Sequence, residues 1–242
     1  MPRKQTRCQY VILLGAPGSG KGTQAGRLSM ELGIPAISTG DLLRRECRSG
    51  SALGRRVQGM LDAGQLVDDD VMNQLVASRL QERDCHHGCI LDGYPRTAAQ
   101  AQFLDALLAR MRKPKPLVFD FVISTEELVS RLSRRRVCPE CGRIFSIDQE
   151  HGPARTQCER DGGLLEQRSD DKPETIRERL RQHERNAVEL VNYYRDRDYH
   201  RLCATRPPQD VCEELLNTLA ANWSTPALAR AAAAAVPAHL RA

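Results

Sequence analysis

Aromatic residues are scarce in this chain. Phe, Trp and Tyr make up only 4% of its 242 residues. Aliphatic side chains must therefore fill the core, and the length suits one main domain with an insertion, or two small domains. The net charge is +5, but aromatic residues do not interleave with the basic clusters, which argues against a nucleic-acid-binding surface.

Long hydrophobic runs are also missing. The sequence shows no secretory signal and no apolar stretch of the length that a membrane span needs. We therefore expect a soluble cytoplasmic protein with no membrane partner. The nine cysteines are an odd number and are unevenly spread, so close pairs indicate a metal site before they indicate disulfides.

The most informative motif follows the apolar run Tyr10–Leu14 and reads Gly-Ala-Pro-Gly-Ser-Gly-Lys-Gly-Thr over residues 15–23. A strand, a glycine loop and a helix in this order form a phosphate-binding loop, whose backbone N–H groups surround polyphosphate oxygens. Lys21 brings a positive charge to the transferring group, and Thr23 offers a hydroxyl to Mg²⁺. The general pattern has Ser or Thr directly after the lysine, but here Gly22 intervenes. The alternative is a glycine-rich turn that binds nothing.

Apolar strands alternate with helical segments along the rest of the chain. This order predicts an α/β fold: a doubly wound parallel sheet with helices on both faces and ligands at the carboxyl ends of the strands. The predicted strands are Tyr10–Leu14, Pro35–Ser38, Cys89–Asp92, Leu117–Ile123 and Tyr199–Ala204. The predicted helices are Lys21–Leu32, Thr39–Cys47, Leu53–Ala63, Asp68–Arg83, Thr97–Met111, Glu126–Arg136, Pro173–Arg195 and Gln209–Ala221.

Two arginine-bearing motifs accompany the glycine loop. Ser38–Arg44 begins a helix, and Leu91–Arg96 ends a strand, with Gln100 in the helix that follows. Each motif alone could be a helix cap or a turn. Phosphoryl transfer needs positioning and charge neutralisation more than covalent help, so arginines near a phosphate loop suit that chemistry.

Two cysteine knuckles lie in the turn-rich segment Val137–Gln167. Cys138 and Cys141 form the first pair, and after sixteen residues Cys158 and Asp161 form the second. Three thiolates and a carboxylate give zinc a closed tetrahedral shell, which indicates a structural metal. The alternatives are an empty, reduced site and a Cys138–Cys141 disulfide.

Together these motifs resemble the adenylate kinase family, from near the start of the chain to about residue 220. That resemblance implies phosphoryl transfer between ATP and AMP, with Mg²⁺ as cofactor. It also implies a phosphate-loop core (1–37, 68–133 and 172–222), a helical AMP-binding region (38–67) and a small zinc-ribbon-like lid (134–171). A lid that swings sits poorly in an extensive interface, so we expect a monomer.

The resemblance also implies a role for each matching residue. The catalytic residues are Lys21, Arg96, Arg135, Arg168 and Arg179. The ATP-binding residues are Gly18, Ser19, Gly20, Lys21, Gly22, Thr23, Arg131, Arg135, Ile144, Phe145 and Arg206. The AMP-binding residues are Thr39, Arg44, Gln65, Leu66, Val67, Gly93, Tyr94, Pro95, Arg96, Gln100, Arg168 and Arg179. The metal ligands are Cys138, Cys141, Cys158 and Asp161 for zinc, with Thr23 and Asp92 for Mg²⁺, partly through water.

Several features fit this interpretation less well. The loop that holds Arg206 lacks the Asp-Gly turn common among relatives, which leaves the donor nucleotide open. Arg134–Arg136 could be a solvated face. The segment 85–89, with two cysteines and two histidines, could hold a second metal, although we expect a surface turn at Gly88 and a buried Cys89. Cys8, Cys47, Cys203 and Cys212 are predicted to be small buried groups.

Two other functions compete with this one. A related nucleoside monophosphate kinase would use GTP as donor, or UMP or CMP as acceptor. A nucleotide-gated protein could instead contact nucleic acid through its knuckles, but that segment carries Glu140, Asp148, Glu150 and Glu159. The alanine-rich tail 223–242 is predicted to be disordered, with a partner-docking helix as the alternative.

Overall fold

A computed structural model describes residues 9–147 and 156–223 of the chain. The Ala-rich segment 224–242, Cys8, Asp148 and Glu150 lie outside the described residues. The strands are β1 (Gln9–Gly15), β2 (Ala36–Ser38), β3 (Gly88–Asp92), β4 (Leu117–Val122), β5 (Arg135–Val137), β6 (Ile144–Ser146) and β7 (Tyr199–Cys203). The helices are α1 (Lys21–Leu32), α2 (Thr39–Arg48), α3 (Ala52–Asp62), α4 (Asp69–Leu80), α5 (Ala98–Arg110), α6 (Thr125–Arg134), α7 (Pro173–Tyr194) and α8 (Pro208–Asn222).

Five strands form a parallel sheet in the order β2-β3-β1-β4-β7. The chain first builds to one side of β1 and then to the other, so the strand order reverses at β1. In open α/β sheets, ligands bind at this reversal point, outside the carboxyl ends of the strands. The glycine loop directly follows β1 and therefore lies at the switch point.

Alternate residues of β1 face two separate cores. Tyr10, Ile12 and Leu14 pack with apolar side chains of α2, α3, α4, α5 and α7. Val11 and Leu13 pack on the other face, against α1 and α8. The predicted doubly wound sheet with helices on both faces is confirmed. Within the described part of the chain, no helix combines the length and the apolar character that crossing a membrane requires.

Two predicted helices end earlier than expected. The helix predicted to reach Arg136 stops at Arg134, and Arg135–Val137 instead forms β5, paired in antiparallel fashion with β6. The helix predicted to reach Arg83 stops at Leu80 and is followed by a 3₁₀ helix, Arg83–His87. In the first case cross-strand pairing inside the lid overrides a basic run with good helix propensity.

Two cysteine-related predictions were wrong. Gly88 is not a surface turn but the buried first residue of β3, and an added Cβ would lie 1.7 Å from the Gln9 carbonyl oxygen. Cys203 is exposed at the end of β7, and Cys47 is only half-buried. Cys212 is buried on α8, as predicted.

Candidate active site

The glycine loop is shaped by close backbone packing. Gly15, Gly18 and Gly20 have φ values of 131°, 87° and 94°, which favour glycine. A Cβ at Gly15 would lie 2.8 Å from the Phe121 carbonyl oxygen, and one at Gly18 would lie 2.8 Å from Cγ of Leu132. Larger residues at either position would therefore displace β4 or α6.

The N-terminus of α1 opens onto this loop. Its N-cap, Gly20, has no side chain, and no described side chain caps the helix, so its first N–H groups are available to bind an anion. Lys21 Nζ donates to the carbonyl oxygens of Gly15 and Ala16, both at 2.7 Å, and to Ser19 Oγ at 3.2 Å. The amine thus lies across the loop where a phosphate would sit.

Charge and burial act on both Lys21 and Asp92. Burial lowers the pKa of Lys21 to about 8, nearby arginines add to the effect, and Asp92 opposes it. Burial raises the pKa of Asp92, the last residue of β3. A Cβ at Gly22 would lie 3.2 Å from Asp92 Oδ2. The glycine after the lysine therefore lets the carboxylate approach the start of α1, where Thr23 is exposed.

A small pocket opens between the 38–67 region and the loop after β3. Most of the predicted AMP-binding residues line it, but Leu43, Leu61 and Met72 line it as well and were not predicted. Apolar residues on amphipathic helices are normally predicted to be core residues, so no sequence signal identifies these three as pocket residues. The complete lining is Thr39, Leu43, Leu61, Gln65, Leu66, Val67, Met72, Gly93, Tyr94, Arg96 and Gln100.

Gln100 is held rigidly in the wall of this pocket, with 2% of its surface exposed. Its Oε1 accepts from the Arg96 N–H at 2.7 Å, and its Nε2 donates to Asp69 Oδ1 at 2.7 Å. Thr97 donates to the other Asp69 oxygen at 2.8 Å. Since an amide has two donors and two acceptor positions, one of each remains for a ligand.

The loop after β3 turns tightly around Gly93, whose φ is 79°. The Gly93 carbonyl accepts from Thr39 Oγ1 and from Arg96 Nε, both at 2.8 Å. A Cβ at Gly93 would lie 3.0 Å from Thr39 Oγ1. Tyr94 precedes Pro95 by a cis peptide bond and donates to Asn73 Oδ1 at 2.5 Å.

Arginines from four parts of the fold converge between the glycine loop and this pocket. Burial lowers the pKa of Arg96 and of Arg168, each to about 10, and neighbouring guanidinium groups add to both shifts. The Nε of Arg168 is buried, and among the described residues it has no hydrogen-bond partner. Asp41, Asp170 and Asp171 pair with Arg44, Arg135 and Arg179, but these guanidinium groups still lie close enough to Arg96 and Arg168 to lower their pKa, and a bound polyanion would relieve this repulsion. The members are Arg44, Arg96, Arg135, Arg168 and Arg179, called here the arginine cluster.

Asp171 joins the two ends of the lid and was not predicted. It is fully buried, and its two carboxylate oxygens accept from Arg135 Nε at 2.7 Å and from Arg135 Nη2 at 2.5 Å. Arg179 Nη1 donates to the same carboxylate at 3.1 Å. Bidentate pairing of this kind fixes a guanidinium in orientation as well as position. The available sequence signal was an acidic pair, residues 170–171, separated from Arg168 by one serine.

The remaining predicted ATP-binding residues lie around the glycine loop and beyond it. Arg131 Nη1 is 4.0 Å from the position of a Cβ at Gly20, so this guanidinium lies beside the loop. Ile144 and Phe145 belong to β6 of the lid, and Ile144 is exposed. Arg206 follows β7, and its side chain pairs with Glu214 on α8.

The four predicted zinc ligands lie together in the lid. Their ligand atoms all fall within 4.8 Å of one another, with 3.6 Å between the Cys141 and Cys158 sulfurs and 3.2 Å between Cys138 Sγ and Asp161 Oδ1. A tetrahedral zinc site with Zn–S bonds of about 2.3 Å places its ligands about 3.8 Å apart. The three thiols are free rather than disulfide-bonded.

The two knuckles share one backbone pattern, which explains how the ligands are aimed. Gly142 N–H donates to the Cys138 carbonyl and Gly162 N–H to the Cys158 carbonyl, each at 2.9 Å. Both glycines adopt positive φ, near 70°. Gly163 N–H also donates to Asp161 Oδ1 at 3.0 Å, which orients that carboxylate.

Known proteins share this sequence pattern. A sequence profile of the family described as adenylate kinase matches residues 13–199. Adenylate kinase of Anaeromyxobacter dehalogenans is 46% identical over 187 residues, which cover 77% of this chain and 87% of that protein. Adenylate kinase of Archaeoglobus fulgidus is 45% identical over 185 residues, covering 76% and 85%. That of Thermodesulfovibrio yellowstonii is 44% identical over 184 residues, covering 76% and 86%. The chain belongs to the adenylate kinase family.

Proposed function

We propose that this chain catalyses reversible, Mg²⁺-dependent transfer of a phosphoryl group from ATP to AMP, giving two molecules of ADP. Family membership supports this reaction, and the arginine cluster is the observation that carries it. The cluster lies between a loop built for polyphosphate and a separate pocket. Two phosphorylated ligands can therefore meet there with their charge neutralised.

The donor half of the site uses the glycine loop and α1. The loop N–H groups and Lys21 hold the donor phosphates, and Arg131 and Arg135 contact them from the side of the lid. Thr23 and Asp92 are the oxygen donors available to Mg²⁺, a hard cation that prefers such ligands. When bound, Mg²⁺ neutralises part of the polyphosphate charge. Asp92 fits this role because it is a buried carboxylate that burial alone disfavours in its charged form.

The acceptor half uses the pocket beside β3. Arg96 and Arg44 bind the phosphate of AMP, with Arg168 and Arg179 neutralising the transferring group. The backbone of residues 65–67 and the free donor and acceptor of Gln100 contact the base. Gln100 is suited to base selection because Asp69 and the Arg96 N–H already fix its amide.

The lid, residues 134–171, closes over the donor and excludes water, which would otherwise take the phosphoryl group. Cys138, Cys141, Cys158 and Asp161 hold zinc, and the metal ties the knuckles into one body, since so small an insertion buries little core of its own. The division into core, AMP-binding region and lid belongs to this proposal. So do a cytoplasmic location, a monomeric state and the absence of a nucleic-acid partner.

The test is a coupled assay for ADP formation from ATP and AMP with Mg²⁺. UMP, CMP and GMP serve as rival acceptors, and GTP as a rival donor. AMP-selective turnover is expected. Turnover with another acceptor would keep the fold and the arginines but overturn the base-reading role of Gln100. No turnover in zinc-replete protein would favour a nucleotide-binding protein without catalysis.

Metal content is tested separately. Elemental analysis of the purified chain should give one zinc per chain. Cys141→Ser should lose that zinc, whereas Cys212→Ser, which changes a buried thiol on α8, should keep it. Full zinc content in Cys141→Ser would place the metal elsewhere.

A further inference from the structure

Asp69 is an acidic residue to which the proposed reaction gives no role of its own. It lies in the first turn of α4, within a run of three aspartates at residues 68–70. Asp68 pairs with an arginine of α3, and Asp70 is exposed. Asp69 is the one of the three whose carboxylate reaches Gln100. Gln100 lines the pocket beside β3 and Asp69 does not, so Asp69 can act on a bound ligand only through Gln100.

Three hydrogen bonds join Asp69, Thr97 and Gln100 into a closed ring. Gln100 Nε2 donates to Asp69 Oδ1 at 2.7 Å, and Thr97 Oγ1 donates to Asp69 Oδ2 at 2.8 Å. Thr97 is also the N-cap of α5, where its Oγ1 accepts from the Gln100 backbone N–H at 3.1 Å. Both carboxylate oxygens are therefore engaged, and the carboxylate cannot turn without breaking a bond of the ring.

The charge of Asp69 decides which way the Gln100 amide faces. An ionised carboxylate accepts hydrogen bonds and cannot donate them, so the NH₂ end of the amide must face Asp69. At its other end the amide oxygen accepts from the Arg96 backbone N–H at 2.7 Å. Half a turn of the amide would place its oxygen against the carboxylate and its NH₂ group against the Arg96 N–H. Both contacts would then be repulsive, so the two anchors hold a single orientation.

An amide held in one orientation offers its remaining N–H and its remaining lone pair to a ligand in a fixed order. Adenine presents an amino donor at position 6 beside the acceptor N1. Hypoxanthine and guanine present a carbonyl oxygen at position 6 beside an N1–H, so that donor and acceptor are exchanged. The amide can therefore pair with one of these two edges and not with the other. A mismatched edge leaves polar groups of the site unpaired, and such sites discriminate strongly.

We propose that Asp69 is a positioning residue that sets the acceptor specificity of this chain. By holding the Gln100 amide in one orientation, it makes the pocket select a 6-aminopurine nucleotide over a 6-oxopurine nucleotide. The inference rests on the proposed function, which places AMP in the pocket beside β3. It assigns the choice between the two purine classes to a carboxylate that lies behind the pocket wall.

Inosine monophosphate (IMP) is the probe, because it differs from AMP only at position 6 and N1 of the base. The test compares kcat/KM for AMP and for IMP in the unchanged protein and in Asp69→Asn. This change keeps the shape of the side chain but lets a neutral amide meet either end of Gln100. We expect the AMP-to-IMP ratio to fall by about tenfold, since a hydrogen bond to an ionised group is roughly twice as strong as a neutral one. KM for ATP should stay unchanged.

Asp70→Asn is the matched control, because it removes the same charge from the same turn of α4 at an exposed side chain. It should keep the AMP-to-IMP ratio of the unchanged protein. An unchanged ratio in Asp69→Asn would overturn the proposal, even if activity fell with both nucleotides, because Asp69 would then only support the fold. An equal fall of the ratio in both variants would also overturn it, since the charge at the helix start would be the cause.

Titration calorimetry separates this proposal from the proposed function. Dissociation constants of AMP and IMP report the same preference without any phosphoryl transfer. If the unchanged protein bound AMP over IMP but formed no ADP, the proposed reaction would fail, and a smaller binding preference in Asp69→Asn would still support the role of Asp69. Equal binding of AMP and IMP by the unchanged protein would overturn the specificity proposed for Asp69, even with full turnover of AMP.

Discussion

Gly22 separates this phosphate loop from the general pattern, and the structure supplies a steric reason for it. A methyl group at this position would lie 3.2 Å from Asp92 Oδ2, closer than an ordinary van der Waals contact. We expect Gly22→Ala to displace the Asp92 carboxylate by a few tenths of an ångström and to lower kcat by up to roughly tenfold, since a displacement of about 1 Å can cost about a hundredfold. A steady-state assay measures the loss.

The matched control lies on the same helix. Gly26 has open space where a Cβ would be added, so Gly26→Ala should leave kcat unchanged and stabilise the fold by about 1 kcal/mol through helix propensity. Equal losses of kcat in both variants would show that helix glycines in general, rather than the Asp92 contact, determine activity.

Lys21 gives the reaction a defined pH dependence. Burial lowers its pKa from 10.5 to about 8 in the free enzyme, so its charge is lost as the pH rises past that value. We expect kcat/KM for ATP to fall above about pH 8, because kcat/KM reports ionisation of the free enzyme. Bound polyphosphate raises the pKa again, so kcat should fall only at higher pH. A kcat/KM that stays level across and beyond pH 8 would contradict this.

The lowered pKa of Lys21 also affects the stability of the fold, and its effect on stability with rising pH is opposite to its effect on kcat/KM. Between pH 8 and 10.5 the unfolded chain binds more protons at Lys21 than the folded chain does. Lys21 therefore makes the folded state more stable as the pH rises through this window, and less stable below it. Activity and the Lys21 contribution to stability thus move in opposite directions over the same range.

The lid is the element whose local structure the sequence predicted least well. Cysteine spacing identified the knuckles, because ligand spacing is a local property. The strands β5 and β6 were missed, because three-residue strands leave no periodic signal and Arg134–Arg136 favours a helix. The Asp171–Arg135 pair was missed for a related reason: its partners lie far apart in sequence and meet only once the lid has folded back.

Removal of zinc should lower the stability of the lid more than it lowers the rate of phosphoryl transfer. Without metal the lid still has its short hairpin, the knuckle hydrogen bonds, the backbone bonds between Val137 and Glu166 and the Asp171–Arg135 ion pair, but the link that zinc makes between the two knuckles is lost. We expect chelation to lower the melting temperature more than it lowers kcat at room temperature, since the phosphate loop and the pocket have their own supports. Calorimetry and the coupled assay, run on chelated and zinc-loaded protein, measure both. Equal melting temperatures of the chelated and the zinc-loaded protein would contradict the proposed structural role of zinc.

At the scale of the whole molecule, the fold and the position of the phosphate site could be predicted from the sequence. The arrangement of the charged side chains around that site could not. Alternation of strands and helices and one glycine motif determine where phosphate binds. Which arginines face one another depends on how α2, α7 and the lid pack together. The sequence therefore suggested the arginines but did not reveal that the Nε of Arg168 would be buried with no partner among the described residues.

That arrangement predicts a trade between stability and activity. The Nε of Arg168 is buried near other cations and has no hydrogen-bond partner in the part of the chain that the structure describes, at a cost of about 1–3 kcal/mol in the unliganded protein. Arg168→Met should therefore raise the melting temperature of the nucleotide-free protein, because the apolar side chain needs no partner there. The same change should lower kcat by about a hundredfold or more, because a preorganised cation facing the transferring phosphoryl group is lost.

Thermal melts and the coupled assay on one preparation test both halves. Arg177→Met, which changes an exposed arginine on the same helix as Arg179, should alter neither quantity appreciably. Saturating ATP and AMP analogues should reverse the order of stability, since only the unchanged protein gains the Arg168–phosphate contact. A different result would contradict this: Arg168→Met could be less stable than the unchanged protein in the absence of nucleotide. Arg168 would then stabilise the fold, and the arginine cluster would not lower the stability of the nucleotide-free protein.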